Sequence, residues 1–350
     1  MNPFPSPAHG SSHTRERYSK NAPSGVDLSI PFPVRISPYR EVAREAALSW
    51  LQKHEILRSS EAVAEWRSWD VPLMMAVTFP DATEEGLINA AKFHSLAFLI
   101  DDQFDPEEQG RDKLLHGVAH EMVAIMFRQH EAPLGLSTPA TRAYQDIWRE
   151  KQYRMSPAWC DRFAANCARW LLAYLRETAF VDQWLTVEDY IPLRRLTVGI
   201  HWCLDQSEWT AGFEVPAHVA ALPAFQAMRN DTVDAVAFTN DIQSELREKA
   251  RHEAQNNLVL TLQHRYGCSL PEARQRAAIM TEQAIAGFVR RATELLDICQ
   301  DMHLSTTELQ AVETSIEGCR SWIAGNYYWG EHTGRYRHIG GPAYNDDILA

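Results

Sequence analysis

TEEGLINAAKFHSLAFLIDDQFDPEE, residues 83–108, decides how the rest of the chain is read. Leu87, Ala90, Ala91, His94, Ala97, Phe98 and Asp101 recur at steps of three and four, so they share one helical face and the aspartates prolong an apolar stripe. Pro106 disfavours helical geometry at Asp105, which predicts a helix end there, with the carboxylates among exposed backbone carbonyls. That end of a helix is already negative, and no basic residue follows until Arg111. A Mg²⁺ ion would resolve the conflict, because it takes hard oxygen ligands and bridges carboxylates to substrate phosphates. A solvated acidic helix end accounts for a bare DDxxD as well, so a second half of the site is required.

Working outward, the same period recurs almost everywhere. IPFPVRISPYR reads as an extended entry, and SPYREVAREAALSWLQKHEI as a helix with Ser37 as N-cap and Pro38 in its first turn. EAVAEWRSW and VPLMMAVTF follow as shorter helices broken near Asp70 and Pro80. Further helices are predicted in DKLLHGVAHEMVAIMFRQH, TRAYQDIWREKQYRM and SPAWCDRFAANCARWLLAYLRETAFV. VEDYIPLRRLTVGIHWCLDQSEW contains Pro192 and Gly199, so a kink or break is expected inside it. PAFQAMRNDTVDAVAFTNDIQSELREKARHE is a long helix, HEAQNNLVLTLQHRYG another, and two more close the chain. Period-two alternation is nearly absent, which predicts an all-α single domain spanning 27–337, preceded by a disordered leader (1–26) and followed by a short tail (338–350).

At 350 residues and 45% hydrophobic content a sizeable core is available. The formal net charge of −12 argues against a nucleic-acid surface and against anionic lipid, and it obliges an anionic substrate to find local cations. Six scattered cysteines without CxxC pairs indicate neither zinc nor a disulfide framework, which favours a reduced, cytoplasmic compartment. No apolar run reaches membrane-spanning length, and the N-terminus has no signal-peptide core.

The second half of the site lies in the long helix. Val233, Ala237, Asn240, Ser244 and Glu248 share a face, so an apolar stripe turns into amide, hydroxyl and carboxylate, three oxygen donors suited to one cation. A polar helix end emerging into water is the bland alternative for this triplet alone.

DDQFD at 101–105 and NDIQSELRE at 240–248 resemble, in order and separation, the aspartate-rich and NSE motifs of bacterial class I terpene synthases. The resemblance covers most of residues 30–337. Arg194 looks like that family's diphosphate-sensing arginine; Arg195 adjoins it, only one of the two can face inward, and the spacing to Asn240 favours Arg194. Arg335 and Tyr336 in HTGRYRH are similar to the C-terminal RY pair, and Arg247 falls where a basic phosphate contact is frequent.

The resemblance implies three Mg²⁺ ions holding the diphosphate of a linear isoprenoid, with Asp101 and Asp105 on one side, Asp101 the direct ligand, and Asn240, Ser244 and Glu248 on the other. Asp102 and Asp105 serve behind the ligands, Asp102 pairing with Arg335 on closure. Arg194, Arg247, Arg335 and Tyr336 would take the phosphate oxygens. A helix break at Thr197, Val198 and Gly199 would point a carbonyl at the substrate. Phe98, Trp202 and Trp329 would line an apolar pocket that shelters carbocations, ordinary core packing being the other reading of each.

The implied reaction is cyclisation of farnesyl diphosphate, with geranyl or geranylgeranyl diphosphate as alternatives, by a monomer or homodimer. An elongating prenyltransferase would carry two aspartate-rich motifs where this chain has one, and a di-iron carboxylate bundle would carry ExxH, which is absent. A non-catalytic helical module with a relic site is a further alternative.

Overall fold

Several runs of apolar residues at helical spacing begin at a residue whose side chain satisfies a free backbone group of the helix end. Thr83, Thr138, Thr186, Asn257, Ser269 and Ser305 each accept a backbone N–H with the side chain at a helix start. The computed structural model describes residues 26–104, 112–127, 133–177, 184–251, 254–337 and 347–349. Among these, fourteen α-helices and no strand are found, so the protein is all-α.

In chain order the helices are α1 Arg40–Lys53, α2 Ser60–Trp69, α3 Val71–Thr78, α4 Glu84–Asp101 and α5 Asp112–Phe127. They continue as α6 Pro139–Gln152, α7 Pro157–Glu177, α8 Val187–Thr197, α9 Ile200–Ala211 and α10 Ala217–Ala220. The last four are α11 Pro223–Ala250, α12 Leu258–Tyr266, α13 Leu270–Asp301 and α14 Thr306–His332. Helix α11 packs along α13 and α14, while α4 packs against α1, α3, α6 and α9. The site-bearing ends of α4 and α11 are thereby held by neighbours on several sides. No described helix is long and apolar enough to cross a membrane.

Three expectations need correction. Helix α1 starts at Arg40 rather than beside Ser37, because Ser37 is buried and its N–H goes to Ala76 O at 2.9 Å, tying the entry segment to α3 instead of capping α1. The helix expected from His252 starts only at Leu258: Asn257 is extended, and its side chain turns back to cap Val259 and Leu260. The expected tail is partly docked, since Ile348 and Leu349 are fully buried in the main core and Ile348 O accepts from Ala140 N at 3.0 Å. The expected leader lies outside the described residues apart from Val26, which packs beside the cluster containing Leu28, Tyr190 and Phe238.

Candidate active site

The break expected between residues 187 and 209 falls at Gly199. Helix α8 ends at Thr197, Gly199 adopts φ +73°, and α9 begins at Ile200; Pro192 lies inside α8 without ending it. A Cβ on Gly199 would lie 2.7 Å from Trp202 Nε1 and 3.2 Å from the Trp170 ring, so the turn needs a residue without one. Gly199 itself does not line the cavity. It brings Thr197, Val198 and Ile200 into the wall of one of ≈ 190 Å³.

Asp101 and Asp102 stand on one wall at the end of α4, facing Asn240, Ser244 and Glu248 of α11. Arg194, Arg247, Arg335 and Tyr336 line the same space, and the remainder includes Phe98, Trp202 and Trp329 together with Trp170, Trp322 and His94. Every described residue named from the sequence for this site thus lines one cavity, Gly199 excepted. Asp105 lies outside the described residues.

The polar end is densely bonded. Arg335 donates to Asp102 at 2.9 and 2.7 Å and to Asp101 at 3.3 Å, and Arg247 Nη2 donates to Asp102 Oδ1 at 2.6 Å. Burial opposes the charge on Asp102, but Arg335 and Arg247 outweigh it and hold this carboxyl well below the usual range. Arg335 is likewise raised, its burial more than offset by Asp102; its guanidinium also lies 4.6 and 4.8 Å from the centres of the Trp69 and Phe98 rings. Asp102 is therefore saturated by arginines, whereas the Arg335 contact to Asp101 is longer, at 3.3 Å.

On the opposite wall Arg194 Nη2 donates to Asn240 Oδ1 at 2.8 Å, and Asn240 Nδ2 donates to Tyr336 Oη at 2.6 Å. Burial pushes the Tyr336 phenol up to about 12, so it stays protonated and able to donate. Ser244 Oγ donates to Glu248 Oε1 at 2.8 Å, and Asn257 Nδ2 donates to Glu248 Oε2 at 2.5 Å. Arg195 takes no part: it pairs with Asp234 at 2.7 and 2.6 Å and does not line the cavity.

Two partners were missed from the sequence. Asp241 is fully buried and accepts from Arg194 Nε at 3.0 Å, Tyr190 Oη at 2.6 Å and Leu258 N at 3.0 Å, so it aims the arginine. It sits one residue round the helix from Asn240, off the face that periodicity selects. Asn257, which orients Glu248, carried a usable signal: Asn before the apolar run LVLTL is a helix cap.

Among the described residues no three His, Cys, Asp or Glu side chains converge to hold a metal. The donor set among the described residues is a carboxylate on one side with amide, hydroxyl and carboxylate on the other. Hard oxygens of mixed charge, with coordination positions left over, fit a Mg²⁺ ion that keeps water and phosphate ligands.

A helical bundle in which two oxygen-donor walls, several arginines and aromatic rings line one cavity has the parts needed to help an anionic leaving group depart inside a largely apolar chamber. The profile of terpene synthase family 2, C-terminal metal binding, matches residues 92–286. A 7-epi-alpha-eudesmol synthase of Streptomyces viridochromogenes, described as (2E,6E)-farnesyl diphosphate cyclizing, is 34% identical over 90% of this chain and 92% of its own. The pristinol synthase of Streptomyces pristinaespiralis is 31% identical over 89% of this chain and 85% of its own. The crystal structure of an α-eudesmol synthase superposes with a TM-score of 0.81 at 32% identity, over 87% of this chain and 98% of that one. The chain belongs to the class I terpene synthases and is an enzyme of the bacterial sesquiterpene synthase type.

Proposed function

We propose that this enzyme ionises and cyclises farnesyl diphosphate, releasing diphosphate, with Mg²⁺, three ions as in the family, seated between Asp101 and the Asn240, Ser244, Glu248 wall. The observation that carries the reading is that one cavity is lined both by arginines and oxygen donors and by aromatic rings, Phe98 and Trp329 beside Arg335 and Tyr336, with Trp170, Trp202 and Trp322 grouped around His94. The relatives described as farnesyl diphosphate cyclizing support the chain length.

The bound metal would supply positive charge for the leaving diphosphate as the carbon–oxygen bond breaks. Arg194, Arg247, Arg335 and Tyr336 add donors that match phosphate oxygens. Arg194 now donates to Asn240 Oδ1, the oxygen a cation would take, so cation binding frees a guanidinium donor for phosphate. Aromatic faces stabilise the allylic cation by their quadrupoles, and the closed apolar chamber keeps bulk water from quenching it. The six cysteines are free thiols, which fits a reducing cytoplasm, and the family resemblance fits a monomer or homodimer.

The test is incubation with geranyl, farnesyl and geranylgeranyl diphosphate, with Mg²⁺ or with EDTA, followed by gas chromatography–mass spectrometry of the organic extract. A cyclic C15 hydrocarbon or alcohol from farnesyl diphosphate alone, absent with EDTA, is expected. Cyclic products only from another chain length would correct the substrate, elongated prenyl diphosphates on adding isopentenyl diphosphate would identify a prenyltransferase, and silence in every reaction would remove the reading.

A further inference from the structure

Helix α14 presents Trp322, Asn326 and Trp329 to the cavity at steps of four and three, so an amide stands between two indoles on one helical face. Asn326 is 3% exposed, and its Nδ2 donates to Val236 O on α11 at 3.4 Å. Val236 also lines the cavity, one helical turn, about 6 Å along the axis, before Asn240. On the cyclase reading Asn326 therefore borders the prenyl chain rather than the diphosphate.

A carbonyl only accepts, so Nδ2 is the end that faces Val236 and Oδ1 is the end left over. Oδ1 has no hydrogen-bond partner among the described residues. It is not sealed in either. His94 Nε2, Thr197 Oγ1, Trp202 Nε1 and Trp322 Nε1, partnerless atoms on other lining residues, are closed off from water, whereas Asn326 Oδ1 keeps accessible surface. Because the residue lines the cavity and is otherwise buried, that surface opens on the cavity. The other amides in the lining, Asn240 and Asn256, belong to the metal end, Asn256 beside the Asn257 that holds Glu248.

A hydrocarbon chain has no donor for this oxygen, so bound substrate would leave a buried acceptor unpaired, at a cost that one trapped water removes. We propose that Asn326 Oδ1 holds the water that ends the cyclisation and makes the product an alcohol, an inference that rests on the cyclase reading above. The water spends one O–H on Oδ1 and turns its lone pairs to the chain. Donation to the amide enriches the water oxygen in electron density, so the same bond holds the nucleophile and strengthens it. In the last step an oxygen lone pair forms the C–O bond to the cationic carbon, an O–H bond of the resulting oxonium breaks, and the proton passes to the diphosphate released in the first step. The carboxylates of the polar end are engaged: Asp102 by two arginines, Glu248 by Ser244 and Asn257, and Asp101 by the metal proposed above.

The test uses the full chain with farnesyl diphosphate and Mg²⁺ in ¹⁸O-water and reads the ratio of alcohol to hydrocarbon by gas chromatography–mass spectrometry. Wild type is compared with Asn326→Leu, which keeps the bulk without the acceptor, and Asn326→Asp, which keeps an acceptor in place. The ratio is internal to each reaction, so a slower variant still reports it. Wild type is expected to give a labelled alcohol as its main product. The leucine variant should lower the ratio about tenfold, the worth of one hydrogen bond, and the aspartate variant should stay nearer wild type. An unlabelled hydrocarbon as the main wild-type product would overturn the proposal even if neither variant folds; so would a leucine variant at the wild-type ratio or an aspartate variant no better than leucine. No diphosphate release by wild type would instead remove the cyclase reading beneath it. Independently of turnover, a crystal structure with Mg²⁺, inorganic diphosphate and a quaternary ammonium ion in place of the carbocation should show an ordered water bonded to Oδ1, and a dry Oδ1 there would also overturn the proposal.

Discussion

Arg194 and Arg195 are neighbours on the last turn of α8 with different fates. A step of about 100° round the helix sends the first into the cavity, where Asp241 and Asn240 hold it, and the second, itself partly exposed, to buried Asp234. Arg194→Gln should therefore cut the rate of diphosphate release by about 10²- to 10³-fold, the cost of removing one preorganised donor to developing negative charge. Arg195→Gln should leave the release rate near wild type and cost stability instead, about 1–3 kcal/mol, because it strips the partner from the buried Asp234 carboxylate. A diphosphate-release assay on both variants decides between them, and equal effects would void the assignment. Asn240→Ala and Glu248→Ala should each abolish release while circular dichroism still reports a helical fold; near-normal turnover in both would sink the metal wall.

At the scale of elements, the α8–α9 break shapes the cavity by steric exclusion. Gly199→Ala meets both a left-handed φ and Trp202 at 2.7 Å, so it should destabilise by about 1–3 kcal/mol and displace Trp202 into the chamber. Urea unfolding measures the first effect, and an altered product ratio the second. The docked C-terminal strip makes a similar test. Ile348 and Leu349 are fully buried, so the double alanine variant should lose about 3–6 kcal/mol of burial energy and unfold at lower urea concentration. A midpoint equal to wild type would mean the strip is not docked in solution.

For the whole molecule, one buried charge governs a pH response. Lys151 is 0% exposed, donates to Asn89 Oδ1 at 2.6 Å and lies 5.0 to 5.3 Å from the ring centres of Phe93, Trp209 and Phe163. Burial lowers its amine from 10.5 to about 7. Between those values the unfolded chain binds the extra proton, so this group's contribution to stability rises with pH across that window, and its burial cost is complete below it. Lys151→Met removes the term. The wild-type melting temperature should therefore rise relative to that of the variant from pH 6 to pH 9, and a constant difference would refute the shift. Metal linkage acts at the same scale: Mg²⁺ and inorganic diphosphate together should raise the melting temperature, and EDTA should remove the gain, because only the folded site brings both donor walls together.

The all-α class, the helix that delivers Asp101 although it ends there and not at Asp105, the α11 face of Asn240, Ser244 and Glu248, and the break near Gly199 were legible in the sequence. Each depends on periodicity, caps or a missing Cβ, which are properties of near neighbours in the chain. The Asp102–Arg335 pair, 233 residues apart, was expected only through the family resemblance, and tertiary packing alone decided that Asp241, off the predicted face, aims Arg194. The same holds for Asn257, which caps α12 yet also orients Glu248, for Ile348 and Leu349 in the core, and for His94 with its unpaired nitrogen among tryptophans. Local sequence sets which face a side chain is on. The packing of distant helices sets what that face meets, and with it the charge, hydrogen bonding and burial on which the chemistry depends.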